Sequence, residues 1–173
     1  MSTPPIPILF LLDGSGSMAD YGRIQQLNRG VRTLLKGLAE HPKTFTVAAV
    51  VFQGNGAYIH FTFTSAEAVQ WEEVTPVGTG SISAALGLSR KLLSDLKSDQ
   101  KPVLFLVSDG LQETEDHEAI KSFVSESPVA ECERFALRVV HASDSVLEIF
   151  TADTTTHLLG AEDTEDILNF MCT

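Results

Sequence analysis

Ile6-Pro7-Ile8-Leu9-Phe10-Leu11-Leu12 and Val103-Leu104-Phe105-Leu106-Val107 are apolar without interruption. Runs of this length with no polar face predict strands buried on both sides, as in the middle of a parallel sheet. Lys43 to Phe52 and Arg134 to Val140, rich in β-branched and aromatic residues, predict two more strands. Ala57 to Phe63 instead alternates polar and apolar, and Gly54-Asn55-Gly56 separates it from the strand before. Asn-Gly between strand-like runs is a strong hairpin signal, so this strand should lie antiparallel to its predecessor on a sheet edge. The period then changes. Ile24, Leu27, Val31, Leu34, Leu35 and Leu38 fall three or four apart, which predicts an amphipathic helix from Tyr21 to Ala39, ended by His41-Pro42. Ile82, Leu86, Leu93 and Leu96 mark a second helix from Ser81 to Lys97, and Thr114 to Ser125 a third with acidic residues in its first turn. Ser65 to Trp71 reads as a short helix or turn and Val74 to Val77 as a brief extended piece. Asp144 to Phe150 is a short helix, Thr155 to Leu159 a short strand, and Thr164 to Met171 a closing helix whose Ile167, Phe170 and Met171 face the core. No repeat or low-complexity tract interrupts this alternation. It predicts an α/β domain, a twisted and mostly parallel sheet wrapped by helices.

Composition narrows the class. With 173 residues and 43% hydrophobic content, the chain suits a single domain, residues 1–173, with a filled core. A formal net charge of −11 counts against nucleic acid as a partner, because phosphates would be repelled over most of the surface. The start, Met-Ser-Thr-Pro-Pro, has no basic region, and no apolar run reaches membrane length, so the expectation is a cytoplasmic protein without membrane association. Cys132 and Cys172 fit no metal-ligand spacing; they suit reduced thiols, with pairing in an oxidising compartment the alternative.

The candidate chemistry gathers where the apolar runs stop. Asp13-Gly14-Ser15-Gly16-Ser17-Met18 follows the first, and Ser108-Asp109-Gly110 follows the second. Ligands of open parallel sheets bind outside the carboxyl ends of the strands, at the point where strand order reverses. If these strands are neighbours there, Asp13 and Asp109 share one crevice, and Gly78-Thr79-Gly80 can bring a further hydroxyl to it. Two carboxylates alone would repel, so a cation between them is the economical arrangement. Hard oxygen donors suit Mg²⁺ or Mn²⁺ before zinc.

These motifs resemble the metal-ion-dependent adhesion site of von Willebrand factor A domains. Asp13-Gly14-Ser15-Gly16-Ser17 is similar to the Asp-x-Ser-x-Ser loop of that family, Gly78-Thr79-Gly80 to its threonine loop, and Asp109 to its distal aspartate. The resemblance covers essentially the whole chain. It implies a Rossmann-like sheet of six strands in the order 3-2-1-4-5-6 with strand three antiparallel. It also implies that Ser15, Ser17 and Thr79 donate hydroxyl oxygens to a divalent cation, Mg²⁺ with Mn²⁺ or Ca²⁺ as alternatives, while Asp13 and Asp109 bind it directly or through water. The implied function is a protein–protein interaction module, not an enzyme, in which an Asp or Glu of a partner protein completes the shell of the ion. The resemblance extends to small stand-alone intracellular bacterial members associated with tellurite-resistance and related stress or defence systems. The alternative is a metal-dependent hydrolase or phosphatase using the same cation.

Other motifs fit less well. Gly14-Ser15-Gly16-Ser17-Met18-Ala19 satisfies a dinucleotide fingerprint, but Asp13 would press a carboxylate toward the pyrophosphate and the next strand ends without an acidic residue for the ribose. A phosphoaspartate hydrolase would want a second carboxylate where Ser15 stands. Tyr21, Arg23, Gln53 and Asn55 suit either rim contacts or ordinary solvent-facing polar positions. Glu113, Glu115 and Asp116 suit a solvated loop and helix start more than a metal role, with a place on the rim the alternative. Trp71 suits packing, and the histidines are scattered without a site.

Overall fold

A computed structural model describes residues 3–110, 114–152, 157–161 and 163–172. Glu113, Thr155 and Thr156, and the side chains of Glu115, Phe170, Met171 and Cys172, lie outside the described residues.

The strands are β1 (Ile6–Asp13), β2 (Phe45–Gln53), β3 (Gly56–Ser65), β4 (Val103–Ser108), β5 (Glu133–Arg138) and β6 (Leu158–Gly160). They form one six-stranded sheet in the order β3-β2-β1-β4-β5-β6, parallel except for β3, which pairs antiparallel with β2. The helices are α1 (Arg23–Glu40), α2 (Ile82–Ser94), α3 (Thr114–Ser125), α4 (Asp144–Thr151) and α5 (Thr164–Cys172). The expected fold class and strand order are observed. At the β2–β3 hairpin, Gly54 and Asn55 both take positive φ, 58° and 67°, the handedness that a two-residue hairpin turn requires.

The period-2 geometry of β1 sorts the core into two layers. Ile8, Phe10 and Leu12 face one way, with Leu27, Val31 and Leu34 of α1 and Ile167 of α5. Leu9 and Leu11 face the other, with Ile82 and Leu86 of α2, Ile120 and Phe123 of α3 and Phe150 of α4. Phe10, Phe105 and Phe135 stack in register across β1, β4 and β5, with ring centroids 5.1 Å apart at each step. The strands nearest the middle are thus covered on both faces, which is why their sequences carry no polar alternation.

The boundaries depart from expectation in informative places. Arg134 to Val140 reads as strand, yet β5 ends at Arg138: Ala142 donates its N–H to the Val139 carbonyl, and the Val140 N–H bonds to Gln26 Oε1. Val139 and Val140 therefore belong to a turn at the top of the sheet. Between β1 and α1, residues 16–22 form a kinked 3₁₀ segment, so the helix starts at Arg23 and not at Tyr21. Val74 to Val77 joins no strand. It is pinned to α1 by the buried Asn28, whose Nδ2 donates to the Val74 carbonyl at 3.0 Å and whose Oδ1 accepts from the Val74 N–H at 2.8 Å.

That clasp satisfies a backbone donor and acceptor at once, and losing it leaves both without their partner. Asn28→Ala should therefore lower the unfolding free energy by roughly 2–3 kcal/mol in urea titration. The exposed hydroxyl of Thr33, on the same helix, is the control: Thr33→Ala should change it by less than about 0.5 kcal/mol.

Candidate metal centre

The chain runs from β1 to β2 and β3 on one side and to β4, β5 and β6 on the other, so strand order reverses between β1 and β4. Leu12 pairs with Val107, which brings Asp13 level with Ser108 and sets Asp109 one residue beyond. Both carboxylates are buried, with 0% of each residue exposed.

The first loop folds back on its own carboxylate. The Ser15 N–H and the Ser15 hydroxyl both donate to Asp13 Oδ1, at 2.9 and 2.5 Å. The Ser108 hydroxyl donates to Asp13 Oδ2 at 2.6 Å, and the Ser17 hydroxyl to Asp109 Oδ2 at 2.5 Å. The Oγ atoms of Ser15 and Ser17 lie 3.2 Å apart. Asp13, Ser15, Ser17 and Asp109 thus form one unbroken chain of oxygens across the mouths of β1 and β4, with the serines half-buried on its outer side. Met18, fully buried under α1, anchors the loop in the core.

Thr79 stands on the neighbouring segment. The Gly16 N–H donates to the Gly78 carbonyl at 2.6 Å, Val77 N–H to the Gly14 carbonyl at 2.9 Å, and Asn55 N–H to the Thr79 carbonyl at 2.5 Å. The threonine loop is therefore laced to the first loop through backbone. Gly80 is needed for this approach, since a Cβ there would come within 2.7 Å of the Phe52 carbonyl oxygen. The Thr79 side chain is exposed, and among the described residues no hydrogen bond joins its hydroxyl to the other four.

Sequence reasoning placed Arg23 on the rim; the structure buries it beneath the site, 5% exposed. Nη1 donates to the Ser17 carbonyl at 3.0 Å and pairs with Asp109 Oδ2 at 3.4 Å. Nε donates to the Val140 carbonyl at 3.0 Å and Nη2 to the His141 carbonyl at 3.1 Å. A buried guanidinium thus ties the first loop, the distal aspartate and the β5–α4 turn together. The signal was present: Arg23 stands four residues before Leu27 on the stripe that continues through Val31 and Leu34. Gln53 is corrected too, because its Oε1 is buried against Gly14 and does not reach outward. Tyr21, by contrast, is 71% exposed. Ser108 and His141 were not singled out as site residues, yet Ser108 bonds Asp13 and the His141 ring lies 4.9 Å from that of Tyr21. Asp109 is held from behind as well: Ser143 donates its N–H to the Asp109 carbonyl at 2.7 Å, and Gly110, at φ 72°, leaves no room for a Cβ against the Ser143 carbonyl.

Burial pushes the Asp13 carboxyl above the usual range; hydrogen bonds from Ser108 and Ser15 pull it back in part, and the Asp109 charge adds to the rise. Among the described residues there is no group of three or more His, Cys, Asp or Glu side chains placed to hold a metal. The donors gathered here are carboxylate and hydroxyl oxygens, a set that suits a hard divalent cation and not zinc.

The family follows from comparison. The model of the von Willebrand factor type A domain matches residues 8–112, which contain all of these motifs. The chain belongs to the von Willebrand factor A family. Domains of this family generally mediate protein–protein interaction. A search of curated proteins finds no match. Among solved structures, an aerotolerance-related membrane protein from Bacteroides fragilis is similar at a TM-score of 0.68 and 16% identity, over 96% of each chain. The manganese-loaded TRAP protein of Plasmodium vivax matches at a TM-score of 0.75 and 14% identity, over 95% of this chain and 71% of that one. The pilus adhesin SpaC of Lactobacillus rhamnosus GG matches at 0.76 and 14% identity, over 99% of this chain and 30% of its own. At these identities the likeness is one of fold. No helix among the described residues is long and apolar enough to cross a membrane.

Two outcomes test this electrostatic picture. A raised folded-state value means that Asp13 contributes its stability fully below the ordinary value near 3.8, and that this is lost as pH rises through the raised one. In chelator, the melting temperature of Asp13→Asn minus that of the wild type should therefore increase as pH rises from about 4; a flat or falling difference contradicts it. Arg23→Met removes the cation beside Asp109 and should cost about 3 kcal/mol in chemical denaturation.

Proposed function

We propose that this domain is a divalent-cation-dependent protein-interaction module, with Asp13, Ser15, Ser17, Thr79 and Asp109 as the residues that hold the ion. The observation that supports this most is the continuous oxygen chain from Asp13 through Ser15 and Ser17 to Asp109, built from motifs far apart in sequence and converging at the switch point of the sheet. When bound by these residues, Mg²⁺, or Mn²⁺ or Ca²⁺ in its place, would supply a Lewis-acidic position for a carboxylate oxygen from an Asp or Glu of a partner protein. The chain's own residues do the rest. Asp13 and Asp109 supply negative charge from below, where water is excluded. Ser15 and Ser17 present neutral oxygens on the outer side, and Thr79 would add a third from the laced loop. Neutral donors leave the ion much of its positive charge, which favours an anionic partner. The likeness of fold to the manganese-loaded TRAP protein of Plasmodium vivax supports this reading. A role in a bacterial stress or defence system, beside other protein components, fits a small module of this kind.

Calorimetric titration and thermal melting test the proposal. Mg²⁺ or Mn²⁺ at millimolar concentration should bind with one-to-one stoichiometry and raise the melting temperature, because a ligand held only by the native state stabilises it. The double variant Asp13→Ala, Asp109→Ala should lose both effects. Generic phosphate esters should show no turnover with either metal; turnover that disappears in the double variant would favour a hydrolase instead.

A further inference from the structure

Among the described residues, four large apolar side chains stand exposed: Tyr21, Tyr58, Val77 and Val140. Tyr58 lies on β3, at the sheet edge. The other three all lie on loops that enclose the oxygen cluster. Exposed apolar groups scattered singly need no explanation, but their concentration around one polar site marks an interaction surface.

Topology places them on opposite sides. Val77 bonds to Gly14 and Gly54 through its backbone, so it stands on the β2 side of β1. Val140 follows β5, beyond Asp109, on the β4 side. Tyr21 belongs with Val140, because its ring meets His141 edge-on at 4.9 Å. The arrangement is held against local preference: Tyr21 and His141 are both non-glycine residues at φ 55°. Backbone of this kind is costly and persists only where the surroundings enforce it. Arg23 enforces it here, with its guanidinium over the Tyr21 ring at 5.2 Å and its N–H groups on the Val140 and His141 carbonyls. Nothing in the core requires an aromatic ring to be kept 71% exposed at this point.

Charge restricts the occupant. The chain has a formal net charge of −11, and the exposed Asp20 sits beside Tyr21. A segment carrying several acids would be repelled on approach, whereas one carboxylate between apolar side chains would be taken. Resting on the metal-dependent reading above, we infer that the partner offers a short exposed segment with a single Asp or Glu flanked on both sides by apolar side chains. The carboxylate goes to the ion, one flank packs on Val77, and the other packs on Tyr21 and Val140.

A random peptide library displayed on phage, captured by the protein in Mn²⁺ and released by chelator, tests this. The released peptides should share one acid with apolar neighbours on each side. For a synthetic peptide of that pattern, anisotropy titration should show at least about tenfold weaker binding when either flank is changed to Ser, and likewise for the protein variants Tyr21→Ser and Val77→Ser. Chelator-released peptides that share an acid but no flanking preference, and that bind Tyr21→Ser as well as wild type, would overturn the apolar rim and leave the metal reading standing. A library that yields no chelator-released binder, from protein shown by calorimetry to bind Mn²⁺, overturns the rim as well. Wild-type protein that takes up no Mn²⁺ in calorimetry overturns the metal reading and this inference together.

Discussion

Two carboxylates with no exposure to water sit at the ends of adjacent strands, Asp13 on β1 and Asp109 just past β4, and the surrounding structure is arranged to tolerate them. Like charges this deep in low dielectric repel, and each has also lost its hydration. Hydroxyls compensate first: Ser15 and Ser108 donate to Asp13, and Ser17 donates to Asp109. Arg23 compensates next, a full positive charge against Asp109 with its remaining donors on backbone carbonyls. These groups compensate only in part: burial first, and the Asp109 charge to a lesser degree, still make Asp13 hold its proton more tightly than a free carboxyl. In the function proposed above, a bound cation would complete what hydroxyls and a single guanidinium leave unfinished.

The same compensation joins loops that are remote in sequence. Arg23 reaches the β5–α4 turn, the 78–80 segment is fastened to the first loop through Gly16 and Gly78, and Asn28 pins Val74 below it. Hydrogen bonds therefore join the carboxylates to the segments that carry Tyr21, Val140 and Val77. Preorganisation of this kind lowers the ordering cost of binding.

Much of this could be read from the residues. The strands with no polar alternation, Ile6 to Leu12 and Val103 to Val107, declared a doubly covered sheet, and Asn55-Gly56 declared the antiparallel edge, because these signals are local and rest on steric rules. Asp13, Ser15, Ser17 and Asp109 were legible for a related reason: an Asp-Gly released at the carboxyl end of a buried strand is not something a core asks for. Arg23 was misread, since an arginine after a glycine loop resembles solvent-facing polarity, and only its place on the stripe with Leu27 and Val31 betrays burial. The end of β5 was misread because Val139 and Val140 have high strand propensity, while their hydrogen bonds go to Ala142 and Gln26. His141 carried no sequence signal at all. Its position depends on a positive φ and on a guanidinium contributed from 118 residues away.

The central claim, that the oxygens of Asp13, Ser15, Ser17 and Asp109 surround a place for a hard cation, is tested most directly by anomalous diffraction from crystals grown with Mn²⁺. The account predicts a single strong anomalous peak among Ser15 Oγ, Ser17 Oγ and the two carboxylates, with Thr79 turned toward it. Crystals saturated with Mn²⁺ that show no peak there, or show one bound elsewhere on the acidic surface, would contradict it.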